Sequence, residues 1–219
     1  MTTQPTLPPG ILRGQAVHAV GLGVLLAGAG AGWSALGRPL PAAFWAAMAL
    51  PVLHQVFVWL AWRIELGSGA TSAAIGFGGY LVLFFALFAG RFVTLLVLAW
   101  LDRDSLGLAP APRIALTTLL AVPALYAGYS VRRYFGMVRA AGADHFDARH
   151  REMPLEDRGI FRFTNNGMYL YAFLAFWAIA VAFDSRAALL VAAFSHAYIW
   201  VHFFATERPD MRFLYGGAS

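Results

Sequence analysis

The sequence contains no cysteine and no lysine, and only 12% of its 219 residues are charged. The absence of cysteine excludes disulfides, thiolate nucleophiles and cysteine metal sites, and it leaves the redox compartment open. Because soluble domains have about 25% charged residues, this low charge excludes an ordinary soluble fold. The chain is 60% hydrophobic, and so much apolar surface requires lipid as its solvent. We therefore expect a single integral membrane domain, residues 1–219.

All sixteen basic residues are arginines, and the formal net charge is +5. The arginines stand between apolar runs rather than clustering with aromatic residues, so we expect no nucleic-acid partner. Seven of them fall within 132–162, and the positive-inside rule places this segment in the cytoplasm. The all-arginine set fits a high-GC coding bias, and we expect a bacterial inner (cytoplasmic) membrane location.

The apolar runs predict an all-α polytopic bundle of about six transmembrane helices, since a spanning helix needs about 20 mostly apolar residues. Short polar loops separate the runs, and both termini are expected in the cytoplasm. Residues 1–131 form a four-span portion, and residues 132–219 form a polar segment, a helical hairpin and a tail that build a pocket at the cytoplasmic face. The predicted spans are 17–36, 41–62, 73–101, 114–131, 168–183 and 187–204.

Several residues inside these spans predict specific contacts. Gly28 and Gly32, four positions apart, favour close helix packing. His54 and Gln55 favour an interhelical hydrogen bond over a substrate contact. Arg91 lies about ten residues before the end of its span, so its side chain is expected to snorkel to the interface. Alternatively, Arg91 binds a lipid phosphate as a substrate-binding residue.

Two hydrophilic segments adjoin the last two predicted spans: the first polar island, 158–169, and the second polar island, 206–212. The tight hairpin between these spans returns the chain to the side from which it came. Both islands are therefore expected at the same membrane surface, as two walls of one pocket.

The first polar island offers groups for binding a polar small molecule. Asn165 and Asn166 supply amide donors and acceptors, and Arg162 can hold a carboxylate through two hydrogen bonds. Gly167 allows close approach of the backbone to a ligand. The ring of Tyr169 can stack on a base or face a cation.

The second polar island adds Glu207, which can accept hydrogen bonds from hydroxyl groups or an ammonium. Together the islands suit a zwitterionic nucleoside with a positive centre, although an interfacial loop that caps a helix explains the same residues. The candidate general bases are Glu207, His145, His150 and His202. His196 and His202 do not share a helical face with Glu207, so we expect no metal.

Three short motifs occur in order: Tyr134-Phe-Gly136, the segment 159–169, and Glu207-Arg-Pro209 followed by Tyr215. The middle segment resembles the G-I-Y-R-Y-x-R-H-P-x-Y element of the membrane isoprenylcysteine carboxyl methyltransferase and phospholipid N-methyltransferase superfamily. Its end is nearer the D-N-P-M-Y version of the phosphatidylethanolamine N-methyltransferase branch. The outer motifs are similar to that branch's Y-F-G-I segment and E-E-P…Y tail.

The resemblance implies an S-adenosylmethionine site between the two islands. The implied cofactor-binding residues are Gly136, Arg162, Asn165, Asn166, Gly167, Tyr169, Glu207 and Arg208, and the implied catalytic residues are Glu207, His150 and His202. The sequence departs from the pattern in three ways. Asn166 replaces the usual histidine, and Gly167 replaces the usual proline. One glutamate of the usual pair is also missing, either the second, as Arg208, or the first, as Thr206.

The expected function is therefore methyl transfer from S-adenosylmethionine to the amine headgroup of phosphatidylethanolamine or its partly methylated forms. One alternative is methylation of a carboxylate on a prenylated or other lipophilic molecule. Another is a non-catalytic membrane protein that retains the fold. The expected partners are the phospholipid substrate and the bilayer, and the sequence leaves the oligomeric state open.

Overall fold

The computed structural model describes residues 7–164 and 166–216, and within these ranges the chain forms helices and turns without strands. The first four helices are α1 (Gln15–Ala35), α2 (Pro41–Ser68), α3 (Ala70–Leu101) and α4 (Pro110–Ser130). The later helices are α5 (Met137–Ala140), α6 (Ala148–Arg151), α7 (Leu174–Ala182), α8 (Arg186–His202) and α9 (Arg208–Leu214). Wide π-helical turns occupy Val131–Phe135, Met168–Ala172 and Phe203–Glu207. Tight 3-10 turns occupy Ala143–His145 and Gly159–Arg162.

Among the described residues, five helical runs are long and apolar enough to cross a membrane. A sixth, Met168–Ala182, is shorter. At 1.5 Å per residue it reaches about 22 Å, less than the hydrocarbon thickness of about 30 Å. The expected all-α polytopic bundle is confirmed, with five helices of spanning length and a shorter sixth in the described ranges, roughly the six predicted. The five long runs are Gln15–Ala35, Pro41–Ser68, Ala70–Leu101, Pro110–Phe135 and Arg186–Leu214.

The helix boundaries follow from local sequence signals. Pro41 and Pro110 occupy the first turns of α2 and α4, where a proline N–H is not needed. Gly69 adopts a left-handed conformation and separates α2 from α3. The Ser185 hydroxyl accepts a hydrogen bond from the amide of Ala188 and caps α8.

Two glycines of α1 permit close contact with α8, but they are not the predicted pair. A Cβ atom on Gly21 would lie 2.9 Å from the Val201 side chain, and one on Gly32 would lie 2.9 Å from Leu190. A Cβ atom on Gly28 would meet no described heavy atom within 4 Å. The prediction is therefore right for Gly32 and wrong for Gly28. The two contacting glycines are eleven residues apart, about three turns, which puts them on one face.

Arg91 points into the bundle, so the predicted snorkelling to the interface is wrong. Its side chain is buried, and its guanidinium carbon lies 5.2 Å from the ring centroids of both Phe173 and Phe176. Its Nη1 atom lies 3.3 Å from Nδ1 of His54, which forms the predicted interhelical contact. The two rings attract the cation inside the protein, so it does not need to reach the headgroups.

Asp102 and Asp184 organise the hairpin end of the bundle, where α3 meets α4 and α7 meets α8. The carboxylate of Asp184 accepts hydrogen bonds from the amides of Gly107 and Leu108 at 3.0 Å each. The carboxylate of Asp102 accepts one from the Ser185 hydroxyl at 2.7 Å. Side chains thereby satisfy backbone groups that cannot hydrogen-bond within a helix.

At the opposite end, the polar end, the start of α1 and the end of α2 meet the chain that follows α8. Gln15 Nε2 donates to the hydroxyl of Thr206 at 3.1 Å, and Arg63 Nε lies 2.7 Å from the carboxylate of Asp210. The resemblance motifs lie here, at the opposite end from Asp102 and Asp184.

We predict that Asp184→Ala destabilises the protein, because it leaves the amides of Gly107 and Leu108 without their acceptor. Each unpaired amide costs about 1–3 kcal/mol when it is shielded from water. The midpoint of thermal unfolding in detergent is expected to fall. Asp184→Asn is the control, since asparagine keeps an oxygen acceptor and tolerates the left-handed backbone at this position. Equal midpoints for the two variants would contradict this account of the hairpin end.

Candidate functional site at the polar end

The two polar islands meet through a side-chain hydrogen bond. The hydroxyl of Tyr169 donates to Oε2 of Glu207. Both residues are partly buried, and the Tyr169 ring packs edge-on to Trp200 at a centroid distance of 5.7 Å. Segments almost forty residues apart in sequence therefore form one continuous surface at the polar end.

Each resemblance motif has at least one residue on a π-helical turn. Tyr134 belongs to the turn Val131–Phe135, whose last hydrogen bond runs from the Gly136 amide to the Val131 carbonyl at 2.7 Å. Tyr169 and Glu207 lie on the other two turns. A π turn contains an extra residue, shifts the following side chains around the helix axis and often marks a functional site. These turns set the directions of the motif side chains.

The start of the first polar island packs against the end of α4. Gly159 has φ +61, and a Cβ atom there would overlap the hydroxyl of Ser130. The next amide, of Ile160, donates to the same hydroxyl at 3.0 Å. Ile160 and Phe161 are both buried. The glycine is therefore required both for its left-handed backbone and for the close approach to Ser130.

The two glycines assigned to cofactor binding have different surroundings. Gly136 has φ +95, and a Cβ atom there would have its nearest described neighbour, Arg139, at 4.0 Å. Space for a ligand therefore remains beside its backbone. Gly167 has ordinary helical angles, and Ile160 would lie 2.9 Å from its Cβ atom. Packing against Ile160 accounts for this glycine, and its contact with a cofactor stays a prediction.

The remaining cofactor candidates surround the polar end without forming one cluster. Arg162 and Arg208 are exposed, and the Arg208 guanidinium lies 5.9 Å from the Phe204 ring centroid. Asn166 is partly buried, and its carbonyl accepts from the amide of Leu170. Within residues 7–164 and 166–216, none of these side chains hydrogen-bonds to Glu207. Asn165 lies outside the described residues.

The two histidines assigned as catalytic differ in accessibility. His150 is partly exposed on α6, with Nδ1 3.9 Å from the Asp147 carboxylate. His202 is buried inside the bundle, 5.9 Å from the Trp62 ring and 6.1 Å from the His18 ring. Neither ring nitrogen of His202 has a hydrogen-bond partner in the part of the chain that the structure describes. Glu207 and His150 are therefore the more accessible candidate bases.

A buried ionic cluster lies beneath the second polar island. Arg63 Nε is 2.7 Å from Oδ1 of Asp210, and His145 Nε2 is 3.4 Å from Oδ2 of the same carboxylate. The other nitrogen of His145 is 3.0 Å from Asp144 Oδ1. The His145 ring stacks on Trp62 at 4.0 Å. The cluster joins α2, the turn Ala143–His145 and α9.

The aspartates set the charge state of His145. Burial alone lowers the pKa of His145, but hydrogen bonds and charges from Asp144 and Asp210 outweigh it and raise that pKa above its ordinary value. Burial alone raises the pKa of Asp144, yet hydrogen bonds from His145 and Tyr215 bring it below its usual range. Burial and the nearby Asp144 raise the pKa of Tyr215 to about 12, which keeps it a neutral donor to Asp144.

Sequence reasoning did not identify Arg63, Asp144 or Asp210 as parts of the site. Arg63 immediately follows an apolar run, as an arginine that anchors a span to the headgroups does. Asp210 follows a proline in a short tail. One sequence signal was available: Arg63 and Asp210 each carry a charge at the edge of an apolar segment. A charge in that position either reaches solvent or pairs with an opposite charge inside the protein.

Two open cavities near the polar end have linings that include neither Tyr169 nor Glu207. One, of about 360 Å³, is lined by residues 8–11 together with Arg63, Ile64, Gly67 and Ser68. The other, of about 410 Å³, is lined by Tyr129, Arg132 and Arg133 at the end of α4.

Comparison with known proteins gives one match, to the part of the chain that contains both polar islands. Residues 112–218 match the family model described as phospholipid methyltransferase. The C-terminal part of the chain is therefore similar to the phospholipid methyltransferase family. No curated protein and no solved structure matches the chain.

The family match confirms the resemblance and indicates a membrane phospholipid methyltransferase. The matched segment begins in α4, includes all three π-helical turns and contains the Tyr169–Glu207 contact. Helices α1, α2 and α3 lie outside it. Arg63 therefore reaches the second polar island from outside the family segment.

We predict that His145 stabilises the fold most strongly at low pH. Because its native pKa is raised above its ordinary value of 6.5, its contribution is fully present below that pH and is lost as pH rises through the native pKa. Thermal unfolding of wild type and His145→Gln is compared from about pH 6 to about pH 9, and the difference in midpoint is expected to shrink as pH rises. His150→Gln, on the partly exposed α6, is the control with little effect. A difference that grows with pH would contradict a positively charged His145.

Proposed function

We propose that the protein transfers a methyl group from S-adenosylmethionine to the amine headgroup of phosphatidylethanolamine or of its mono- or dimethyl forms. The single observation that carries this proposal is the hydrogen bond between Tyr169 and Glu207, which joins two family motifs at one end of a membrane bundle. The family match supports a phospholipid methyltransferase. The proposal goes further by naming the methyl acceptor and the cofactor.

The side chains around this contact fit the chemistry of the cofactor. The Glu207 carboxylate suits ribose hydroxyls or a positive centre, and the Tyr169 ring offers an aromatic face. Arg162 is exposed and can hold a carboxylate. The open backbone of Gly136 allows close approach. Asn166 and Arg208 complete the proposed set, with Asn165 outside the described residues. When bound, S-adenosylmethionine supplies an electrophilic methyl group on a sulfonium.

The protein's own residues have two tasks in this reaction. The headgroup ammonium must lose a proton before its nitrogen lone pair can form the new N–C bond, as the S–C bond breaks and leaves a neutral thioether. Glu207, His150 and His202 are the proposed acceptors of that proton. The second task is to align the amine and exclude water, because an in-line displacement needs no covalent help from the enzyme.

The membrane supplies the other substrate. We propose that the polar end faces the cytoplasm of a bacterium from its inner membrane, because residues 132–162 carry seven arginines there. A headgroup in the inner leaflet then reaches the islands without leaving the interface. The proposed contact of Arg91 with a lipid phosphate requires that the phosphate enter the bundle, since Arg91 is buried.

The decisive experiment uses purified protein in nanodiscs that contain phosphatidylethanolamine, with S-adenosylmethionine labelled in its methyl group. We expect label on the headgroup nitrogen, which survives treatment with base. Label lost as a base-labile methyl ester in a native lipid extract would instead support methylation of a carboxylate. Absence of both binding and transfer would refute the proposal and leave a non-catalytic membrane protein.

We predict that Tyr169→Phe weakens S-adenosylmethionine binding by about ten- to a hundredfold, because a hydrogen bond to a charged group contributes about 1.5–3 kcal/mol. Binding is measured by calorimetry in detergent. Tyr171→Phe is the matched control: it makes the same chemical change two residues away, on a side chain packed against the α4 side.

Glu207→Gln separates charge from hydrogen bonding at the same position. Glutamine retains an oxygen that accepts from Tyr169, but it removes the negative charge. If the charge serves a sulfonium, affinity for S-adenosylmethionine should fall more than affinity for its uncharged thioether product. An equal fall for both ligands would assign Glu207 to ribose hydroxyls or to the fold. Unchanged affinity in both Glu207→Ala and Asn166→Ala would refute this site.

A further inference from the structure

The part of the chain outside the family segment supplies the groups that hold the second polar island. Arg63 lies near the end of α2, far before residue 112, and only 1% of its surface is exposed. Two of its nitrogens donate hydrogen bonds, and the third lies in an ion pair. Nε lies 2.7 Å from the carboxylate of Asp210, Nη1 donates to the Gly10 carbonyl at 2.7 Å, and Nη2 donates to the Thr206 carbonyl at 3.4 Å.

These contacts lie on both sides of Glu207. Thr206 immediately precedes it, Asp210 follows it by one helical turn, and both are fully buried with 0% exposure. Glu207 itself is partly buried and turns toward Tyr169. One guanidinium therefore binds the chain before and after the residue that makes the contact between the islands.

The π-helical turn interrupts the regular pattern of backbone hydrogen bonds next to this attachment. Carbonyl groups near such a turn and at the end of α8 lack the regular partner four residues on. The Thr206 carbonyl obtains the Arg63 donor, and the Thr206 hydroxyl obtains Gln15 Nε2 at 3.1 Å. Loss of these donors is expected to destabilise the register of the turn that directs Glu207 toward Tyr169.

We propose that Arg63 is a positioning residue for Glu207: it fixes the register of the turn Phe203–Glu207 through the Thr206 carbonyl and the Asp210 carboxylate. The role in ligand binding rests on the proposed function. The planar guanidinium is essential because it presents donors in several fixed directions, whereas a lysine ammonium is a point charge that cannot reach the same set. Helices α1 and α2 are thereby part of the site.

The test must separate positioning from simple stability. Removing one partner of a buried ion pair destabilises strongly, while replacing both by apolar residues of similar size is often neutral. We therefore compare Arg63→Met with the double variant Arg63→Met/Asp210→Leu and with Arg63→Lys. Arg113→Met is the control, because it breaks an exposed ion pair with Asp104 at the far end of α4.

Thermal midpoint and S-adenosylmethionine affinity are measured on each variant in the same detergent. We expect the double variant to recover most of the midpoint lost in Arg63→Met, yet to bind about tenfold more weakly than wild type or worse. Recovery of both midpoint and affinity would overturn the proposal. If the double variant stays unstable, Arg63→Lys decides: wild-type affinity there would overturn the proposal, and weakened affinity would support it.

A second readout does not need the cofactor. Hydrogen–deuterium exchange of residues 203–214 in ligand-free protein should be faster in Arg63→Lys than in wild type, with exchange near Asp184 unchanged. Equal exchange in this segment would overturn the positioning role even if the protein binds S-adenosylmethionine. Conversely, faster exchange in a protein whose wild type binds no cofactor would support the positioning role while refuting the proposed function.

Discussion

A charge buried in a bundle that lipid surrounds must find its partner inside the protein, and this requirement shapes the polar end. Arg63, Asp210, His145 and Asp144 are nearly inaccessible, and each has an opposite charge within 3.4 Å. Their pairing joins α2, the turn Ala143–His145 and α9. The unpaired alternative costs several kcal/mol for each ion, so these elements are held together as one unit.

The two ends of the bundle differ in how their backbone polar groups find hydrogen-bond partners. At the hairpin end, Asp102 and Asp184 cap loops with short, regular hydrogen bonds. At the polar end, three π-helical turns replace regular helix, and each holds part of one motif. Widened turns re-aim side chains and release carbonyls, which is useful where a ligand must be bound. The structure thus combines a conventionally capped end with an irregular end suited to chemistry.

In our proposal, the site depends on both halves of the chain. The family segment supplies Tyr169 and Glu207, whose contact closes the surface between the islands. The N-terminal helices supply Arg63 and Gln15, which donate to the backbone carbonyl and the side-chain hydroxyl of Thr206, next to Glu207. Methyl transfer to a lipid needs rigid alignment more than it needs reactive side chains, and we propose that the buried network provides that alignment.

Composition and hydropathy determined the class of protein and the approximate helices, and three short motifs indicated the family. The length of an apolar run is a local property of the sequence, so it predicted α1 to α4 well. The motifs are also local, because each consists of residues that are close together in the sequence. Pairings between distant residues decided the rest. Arg91 turns inward because Phe173 and Phe176 offer their ring faces. Gly21 rather than Gly28 faces α8, and Arg63 meets Asp210 across nearly 150 positions. Such contacts depend on helix rotation and on the register of wide turns, which follow only from the packing of the whole bundle.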